Sequence, residues 1–276
     1  MRKLTTTGRL FVAIAMVAFG IQHFIYRDFV TRVVPQLPAW IPAHSLLACV
    51  FGAFLIVAGM AIIIGKEGRT MALLLGGVIL LSFVVLYLPL VFANPQNGSL
   101  WTKAGKALAL AGGSFLVAGS IPVDLANIKG LRAMIAKVLE RFIPLGRFFL
   151  AAFLILGGIL HFKYVEFVAT LVPAWIPGHV FWTYFAGCAL IAGGLGTILP
   201  WTTRLAASLS AIMIFVWVLV LHIPRALASL QDANETTAVF EALAMTGVAI
   251  LIATNPTGKN KTVGDESEES RSALPE

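Results

Sequence analysis

Charged side chains are scarce in this chain. They make up 12% of its 276 residues, against 59% hydrophobic residues. A soluble domain carries about 25% charged residues, so the shortage excludes an ordinary water-soluble domain and points to a membrane protein. Cysteine is nearly absent. Cys49 and Cys188 are the two present, and no Cys-x-x-Cys occurs. They do not align with one another in the internal repeat described below. Dithiol exchange within the chain would need their helices to meet with Cα atoms under about 7 Å apart. The chain also lacks a metal-ligand cluster at helical spacing, a nucleophile elbow and a phosphate-binding glycine loop.

Long apolar runs are what the chain has instead. Eight stretches approach the roughly 20 residues needed to cross a bilayer: Arg9–Tyr26, Ser45–Gly65, Thr70–Phe92, Lys103–Ile121, Leu145–Tyr164, Val180–Leu199, Thr203–His222 and Thr237–Ala253. Arg2 and Lys3 ahead of the first run resemble the start of a signal peptide. Its counterpart at Leu145–Tyr164 lies mid-chain, however, so both read as permanent helices.

The chain also repeats itself. Gly20-Ile21-Gln22-His23-Phe24 returns as Gly158-Ile159-Leu160-His161-Phe162, 138 residues later (161 less 23). Ala39-Trp40-Ile41-Pro42-Ala43-His44 returns as Ala174-Trp175-Ile176-Pro177-Gly178-His179, 135 residues later (174 less 39). The offset of 135 then holds through Gly52 and Gly187, Pro89 and Pro224, and Gly112 and Gly247. A period this long predicts a duplicated domain rather than a solenoid. The fold expected is an all-α membrane protein of eight transmembrane helices, arranged as two parallel-repeat four-helix bundles. The repeats span residues 1–122 and 145–256, with a connecting segment at 123–144 and a tail at 257–276.

Loop charge sets the expected orientation. With a cytoplasmic N-terminus, the inner segments hold 14 of the 20 Lys and Arg residues and the outer segments 6, which places both termini inside. The net charge of +7 is mostly this bias and calls for no nucleic acid. Four spans per repeat is an even number, so both copies enter the membrane from the same side, unlike the inverted repeats of many transporters. Between them, Leu125, Ile128, Leu131, Ile135, Leu139 and Phe142 recur at helical spacing, with Lys129, Arg132, Lys137 and Arg141 on other faces. This predicts a cationic amphipathic helix on the cytoplasmic leaflet. The tail is acidic, lacks aromatic residues and reads as disordered by composition. Gly52 and Gly59, like Gly187 and Gly194, lie seven residues apart on one helical stripe, where small residues let helices approach in lipid. Gly76-Gly77, Gly112-Gly113 and Gly157-Gly158 are read the same way.

Polar groups that can bind a ligand gather at the predicted outer face. His23 and His161 end the first and fifth spans, and His44 and His179 follow the Trp-Ile-Pro turns. His222 ends the seventh span, where Tyr87 stands in the other repeat. Trp40 and Trp175 sit where interfacial aromatic belts sit. His23 and His161 serve either as helix-end caps or as ligands. Lys106 and Glu241 are equivalent positions and are read as opening the fourth and eighth spans. They either pair across the halves or, in the preferred reading, snorkel separately to water. The predicted midplane holds only mild polar groups such as Ser82, Ser114, Ser208 and Thr246. Pumps keep acids or histidines there, so active transport is disfavoured.

Each half resembles the DoxX-type four-helix membrane proteins. The likeness rests on Gly158-Ile159-Leu160-His161-Phe162, Leu171-Val172-Pro173-Ala174-Trp175-Ile176-Pro177, Ala192-Gly193-Gly194-Leu195-Gly196 and Lys106-Ala107-Leu108-Ala109-Leu110-Ala111-Gly112-Gly113. The resemblance implies a four-helix unit in each half and a link to quinone-dependent membrane redox assemblies, although relatives in disulfide chemistry would work alongside cysteine pairs, which this chain lacks. The expected function is a subunit or binding protein in a bacterial-type plasma membrane, not an enzyme by itself, that holds a lipid, quinone or partner near the outer leaflet. His23, Trp40, His44, His161, Trp175, His179, His222 and Glu241 are the candidate lining. A subunit of a quinone-linked oxidoreductase and a passive channel are the alternatives, with a redox or other membrane complex as the possible partner.

Overall fold

A computed structural model describes residues 1–30, 33–34, 41–122 and 130–256, the side chains of 131–133 excepted. Trp40, Pro35 and Pro38, the first part of the connecting segment (residues 123–129) and the tail (257–276) lie outside the described residues. Every regular element described is helical. Among the described residues seven helices are long and apolar enough to cross a bilayer: Arg2–Tyr26, His44–Ile64, Gly68–Ala93, Met134–Lys163, His179–Ile198, Thr203–Ala228 and Ala233–Thr254. The chain is a multi-pass helical membrane protein.

The elements in order are α1 (Arg2–Tyr26), α2 (His44–Ile64), α3 (Gly68–Ser82), a π turn at Phe83–Tyr87, α4 (Leu88–Ala93) and α5 (Gly98–Ser120). Then come α6 (Leu131–Glu140), a 3₁₀ turn at Ile143–Leu145, α7 (Gly146–Lys163), α8 (Val165–Ala169) and α9 (His179–Ile198). The chain continues with α10 (Thr203–Trp217), a second π turn at Val218–His222, α11 (Ile223–Ala228) and α12 (Ala233–Thr254). The predicted fourth span is α5, which has the length, at 23 residues, but is not among the seven apolar ones. Its composition explains this. Every residue from Ala109 to Ser120 is buried among other helices, so small size matters more there than solubility in lipid.

Packing runs in a ring: α1 on α2, α2 on α3, α3 on α5, α5 on α7, α7 on α9, α9 on α10, α10 on α12, and α12 back on α1. In the middle α5 and α12 pack against each other. The first helix of each sequence half therefore leans mainly on the last helix of the other half, not on its own. The helices of the two sequence halves thus pack into one continuous ring.

Glycine makes these contacts possible. A Cβ on Gly20 would stand 2.5 Å from the Gly52 carbonyl oxygen, and one on Gly158 2.6 Å from that of Gly187. At the other end, a Cβ on Gly8 would fall 2.9 Å from the Gly247 oxygen, and one on Gly146 2.7 Å from that of Gly112. The glycine stripes of α2 and α9 thus face α1 and α7. Backbone contact of this kind is how helices associate without a hydrophobic driving force.

The span expected over Thr70–Phe92 runs through Pro89, and the one expected to stop at His222 also continues, through Pro224. The third and sixth helices run on through Pro89 and Pro224, because the turn before each is widened. Leu88 N–H reaches back to the Phe83 oxygen, and Ile223 N–H to the Val218 oxygen. The shift to a π turn absorbs the missing N–H and the ring clash that a proline brings. Helix ends are also tied. Arg69, buried, donates to the oxygens of Ala118 (2.6 Å) and Ile121 (2.8 Å) at the C-terminus of α5, and to Glu140 of α6 (2.6 Å). These bonds satisfy carbonyls that a helix end leaves open and suit its negative dipole end. The connecting helix α6 leans on α3 through Ile135, Ala136 and Leu139. Met134 and Val138 remain exposed.

Gly158→Val is expected to lower stability by about 1–3 kcal/mol through overpacking, read as a lower thermal unfolding midpoint in detergent. The neighbouring Gly157→Ala, whose Cβ would meet only Leu190 at 3.7 Å, is expected to stay within about 0.5 kcal/mol of the original.

Candidate functional site

All five histidines lie at one end of the molecule, opposite the end that carries Arg2 and Thr254. The two at equivalent positions differ in surroundings. His23 is fully buried. Its Nδ1 lies 2.7 Å from the Phe19 carbonyl oxygen. A carbonyl only accepts, so Nδ1 carries the proton, and Nε2 is left to accept the Val30 N–H at 3.4 Å. Phe29 and Phe51 close the ring in edge-on. Both nitrogens of His23 are committed to the fold.

His161 repeats the first contact and not the rest. Its Nδ1 lies 2.7 Å from the Gly157 oxygen, and the ring stacks on Trp217 at 6.4 Å. In place of Phe51 the second half has Ala186, and in place of Phe29 it has Phe167, whose side chain is exposed. His161 is half-buried, and its Nε2 takes no hydrogen bond among the described residues. The outcome is a partly open imidazole, fixed in orientation by Gly157, beside an indole face.

Lys106 and Glu241 form the other polar centre. They are an ion pair at 2.7 Å, 135 residues apart, joining α5 to α12. The expectation that they snorkel separately is corrected. Each lies eight residues inside its helix, about 12 Å below the helix start at 1.5 Å per residue, and the Glu241 side chain is only 3% exposed. Tyr87 ends the first π turn, which packs on α5, and is fully buried. Among the described residues its hydroxyl takes no hydrogen bond. One turn outward from Glu241, Thr237 donates to Gln22 Oε1 at 3.0 Å, and Gln22 Nε2 donates to Thr236 at 3.2 Å. These bonds fasten α1 to α12.

The remaining candidates are scattered. His44 and His179 open α2 and α9 after left-handed residues at Ala43 and Gly178, and the buried Nε2 of His44 has no hydrogen-bond partner. His222, half-buried, ends the second π turn, which packs on α12. Trp175 is 73% exposed. Phe181, Trp182 and Phe185 form an exposed aromatic cluster at the start of α9. The midplane hydroxyls bond their own helices: Ser82 to Val78, Ser114 to Leu110, Ser208 to Arg204 and Thr246 to Ala242. Among the described residues no group of three metal-binding side chains occurs. Sequence reasoning did not single out Trp217, Gln22 or Thr237. Their helical register could have found the last two, since Thr237 lies four residues from Glu241.

Residues 150–255, from α7 to α12, match a family described as a domain of unknown function (DUF8561). No curated protein and no solved structure matches the chain.

Lys106→Met leaves the Glu241 charge buried and is expected to cost about 3–5 kcal/mol. Lys106→Met with Glu241→Met is expected to recover most of that. Thermal unfolding of the two variants checks it, and a double variant as unstable as the single one would contradict the pairing.

Proposed function

We propose that this protein is a membrane binding protein or subunit, not an enzyme by itself, that holds a hydroxyl-bearing hydrophobic ring or lipid beside His161. The observation that carries the reading is the difference between the two equivalent histidines. His23 is sealed, whereas His161 presents Nε2 next to Trp217. With Nδ1 donating to Gly157, the neutral ring offers Nε2 as an acceptor. The matching ligand group is therefore a hydroxyl, as on a quinol, more than a quinone carbonyl. Trp217 supplies a flat apolar face suited to a ring. A quinone-linked membrane complex is the setting in which the resemblance to DoxX-type proteins and this chemistry agree.

The tandem reading belongs to the same proposal. We take α5 as an eighth crossing and the chain as two copies of one four-helix unit inserted the same way. Support comes from α3 with its π turn and α4, and from α10 with its π turn and α11, which begin and end 135 residues apart. The DUF8561 match ends within the second copy and covers most of it. The end carrying Lys66, Arg69, Lys137, Arg141, Arg147 and Arg204 is read as cytoplasmic by its positive charge, in a bacterial-type plasma membrane.

Native mass spectrometry of the protein extracted with its lipids is expected to show a retained hydrophobic hydroxyl compound. His161→Ala is expected to lose it without losing the fold, while His23→Ala is expected to lower thermal stability first. Retention unaffected by His161→Ala would remove the site. For orientation, with Cys49 and Cys188 replaced by alanine, Gln231→Cys is expected to react with an impermeant thiol reagent added outside the cell, and Lys66→Cys is not.

A further inference from the structure

The two halves hold their first two helices in the same way but fill the space beside them differently. A Cβ on Gly20 would stand 2.5 Å from the Gly52 oxygen, and one on Gly158 2.6 Å from the Gly187 oxygen. A turn or two away, a Cβ on Gly59 would stand 2.7 Å from the Ala13 oxygen, and one on Gly194 2.8 Å from the Ala151 oxygen. At both contacts α9 lies on α7 as α2 lies on α1. With the backbones matched, a smaller side chain at an equivalent place leaves room, because the helices have not closed over it.

In the first half, phenyl rings fill the neighbourhood of the histidine. Phe19, one turn inward from His23, is fully buried. Phe51 meets the imidazole edge-on at 5.4 Å, and Phe54 follows Phe51 at 6.4 Å. The second half has Gly157 at the place of Phe19 (157 less 19 is 138). It has Ala186 at the place of Phe51 and Ala189 at that of Phe54 (186 less 51 and 189 less 54 are both 135). One exchange runs the other way, Trp217 for Ser82. The indole stacks on His161 but does not take the room at Gly157. Among the described residues outside its own helix backbone, a Cβ there would meet Leu190 alone within 4 Å, at 3.7 Å. Gly157, Ala186 and Ala189 are all half-buried, so the room is a crevice rather than a closed cavity. Phe185 on α9 and Val216 on α10 are exposed, which in a membrane protein turns the opening toward lipid.

We propose that this crevice seats a single flat ring bearing a hydroxyl and a hydrocarbon chain, and that Ala186, Ala189 and Gly157 select the ring over a plain acyl chain. The inference rests on the His161 reading given above and names the ligand class of that site. The ring takes the place beside His161 that Phe51 takes beside His23. Its hydroxyl donates to His161 Nε2, the acceptor of a ring whose Nδ1 is bonded to Gly157. Trp217 gives it the aromatic neighbour that flat rings favour. Its chain leaves sideways into the bilayer. An acyl chain alone would have to be ordered to fill the same room, at a cost in freedom that a rigid ring does not incur. The first half carries its own ring in Phe51 and has no place for another.

The test is native mass spectrometry of the full chain in detergent with para-dodecylphenol or dodecanol added. The two probes share a hydroxyl and a chain and differ in the ring. The original protein is expected to bind the phenol about tenfold more tightly, the upper end of what a ring contact adds. Ala186→Phe installs the ring of the first half and is expected to abolish that preference while the thermal midpoint stays level or rises. Should Ala186→Phe not fold, Ala189→Phe makes the same test. Equal binding of the two probes by the original protein overturns the inference, and so does a preference that survives the added phenylalanine. His161→Ala separates this outcome from the broader reading. Phenol binding lost in His161→Ala and kept in Ala186→Phe removes the crevice and leaves the histidine site, whereas binding kept in both removes the two together.

Discussion

Contact between backbones at glycine is the constraint on which the rest of this molecule depends. In lipid a leucine gains little by moving from an acyl chain to another helix, so helices hold together where they come close enough for dispersion and weak polar contacts to add up. Gly20 against Gly52, Gly158 against Gly187, Gly8 against Gly247 and Gly146 against Gly112 set those distances. They fix α1 and α7 in position, and with them His23 and His161. The placing of His161 follows from the same contacts, since a Cβ on Gly187 would stand 3.1 Å from the His161 Cβ, closer than side chains normally pack.

The middle of the ring works differently. Between α5 and α12 the chain places a lysine and a glutamate two turns deep, where each neutralises the other's burial. Such a pair is weak support for stability as a net quantity, because its desolvation offsets its attraction. What it provides is register: α5 cannot slide on α12 by a turn without stranding two charges. The Gln22 bonds to Thr236 and Thr237 set the register of α1 on α12 in the same way.

Much of the architecture was legible in the sequence because apolar length and glycine spacing report directly on lipid exposure and close packing. The helices at Ser45–Gly65 and Val180–Leu199 were placed within a residue or two, and the glycine stripes lie close against neighbouring backbones as expected. The reading lost accuracy where tertiary packing overrode a local rule. Proline is a stop signal only if the backbone cannot widen: the run expected to end at His222 continues through Pro224 to Ala228, with a π turn before the proline. Lys106 looked like a helix-opening residue because the apolar run begins near Lys103, whereas the helix begins at Gly98. That shift of five residues carried it from the rim to the interior. The unlike fates of His23 and His161 were invisible for a further reason. They depend on Phe51 against Ala186 and Ser82 against Trp217, residues on other helices that no local pattern connects to a histidine.

The ion pair has a bearing on why the halves travel on one chain. Lys106 and Glu241 occupy corresponding places on corresponding helices, and those helices face one another. An assembly of two first halves would set ammonium against ammonium, and one of two second halves carboxylate against carboxylate, each buried and repelling. Only a mixed couple is neutral. The covalent tether guarantees that couple in every molecule, and it frees each side to specialise: one keeps a tyrosine where the other keeps a histidine, and one is sealed where the other is open.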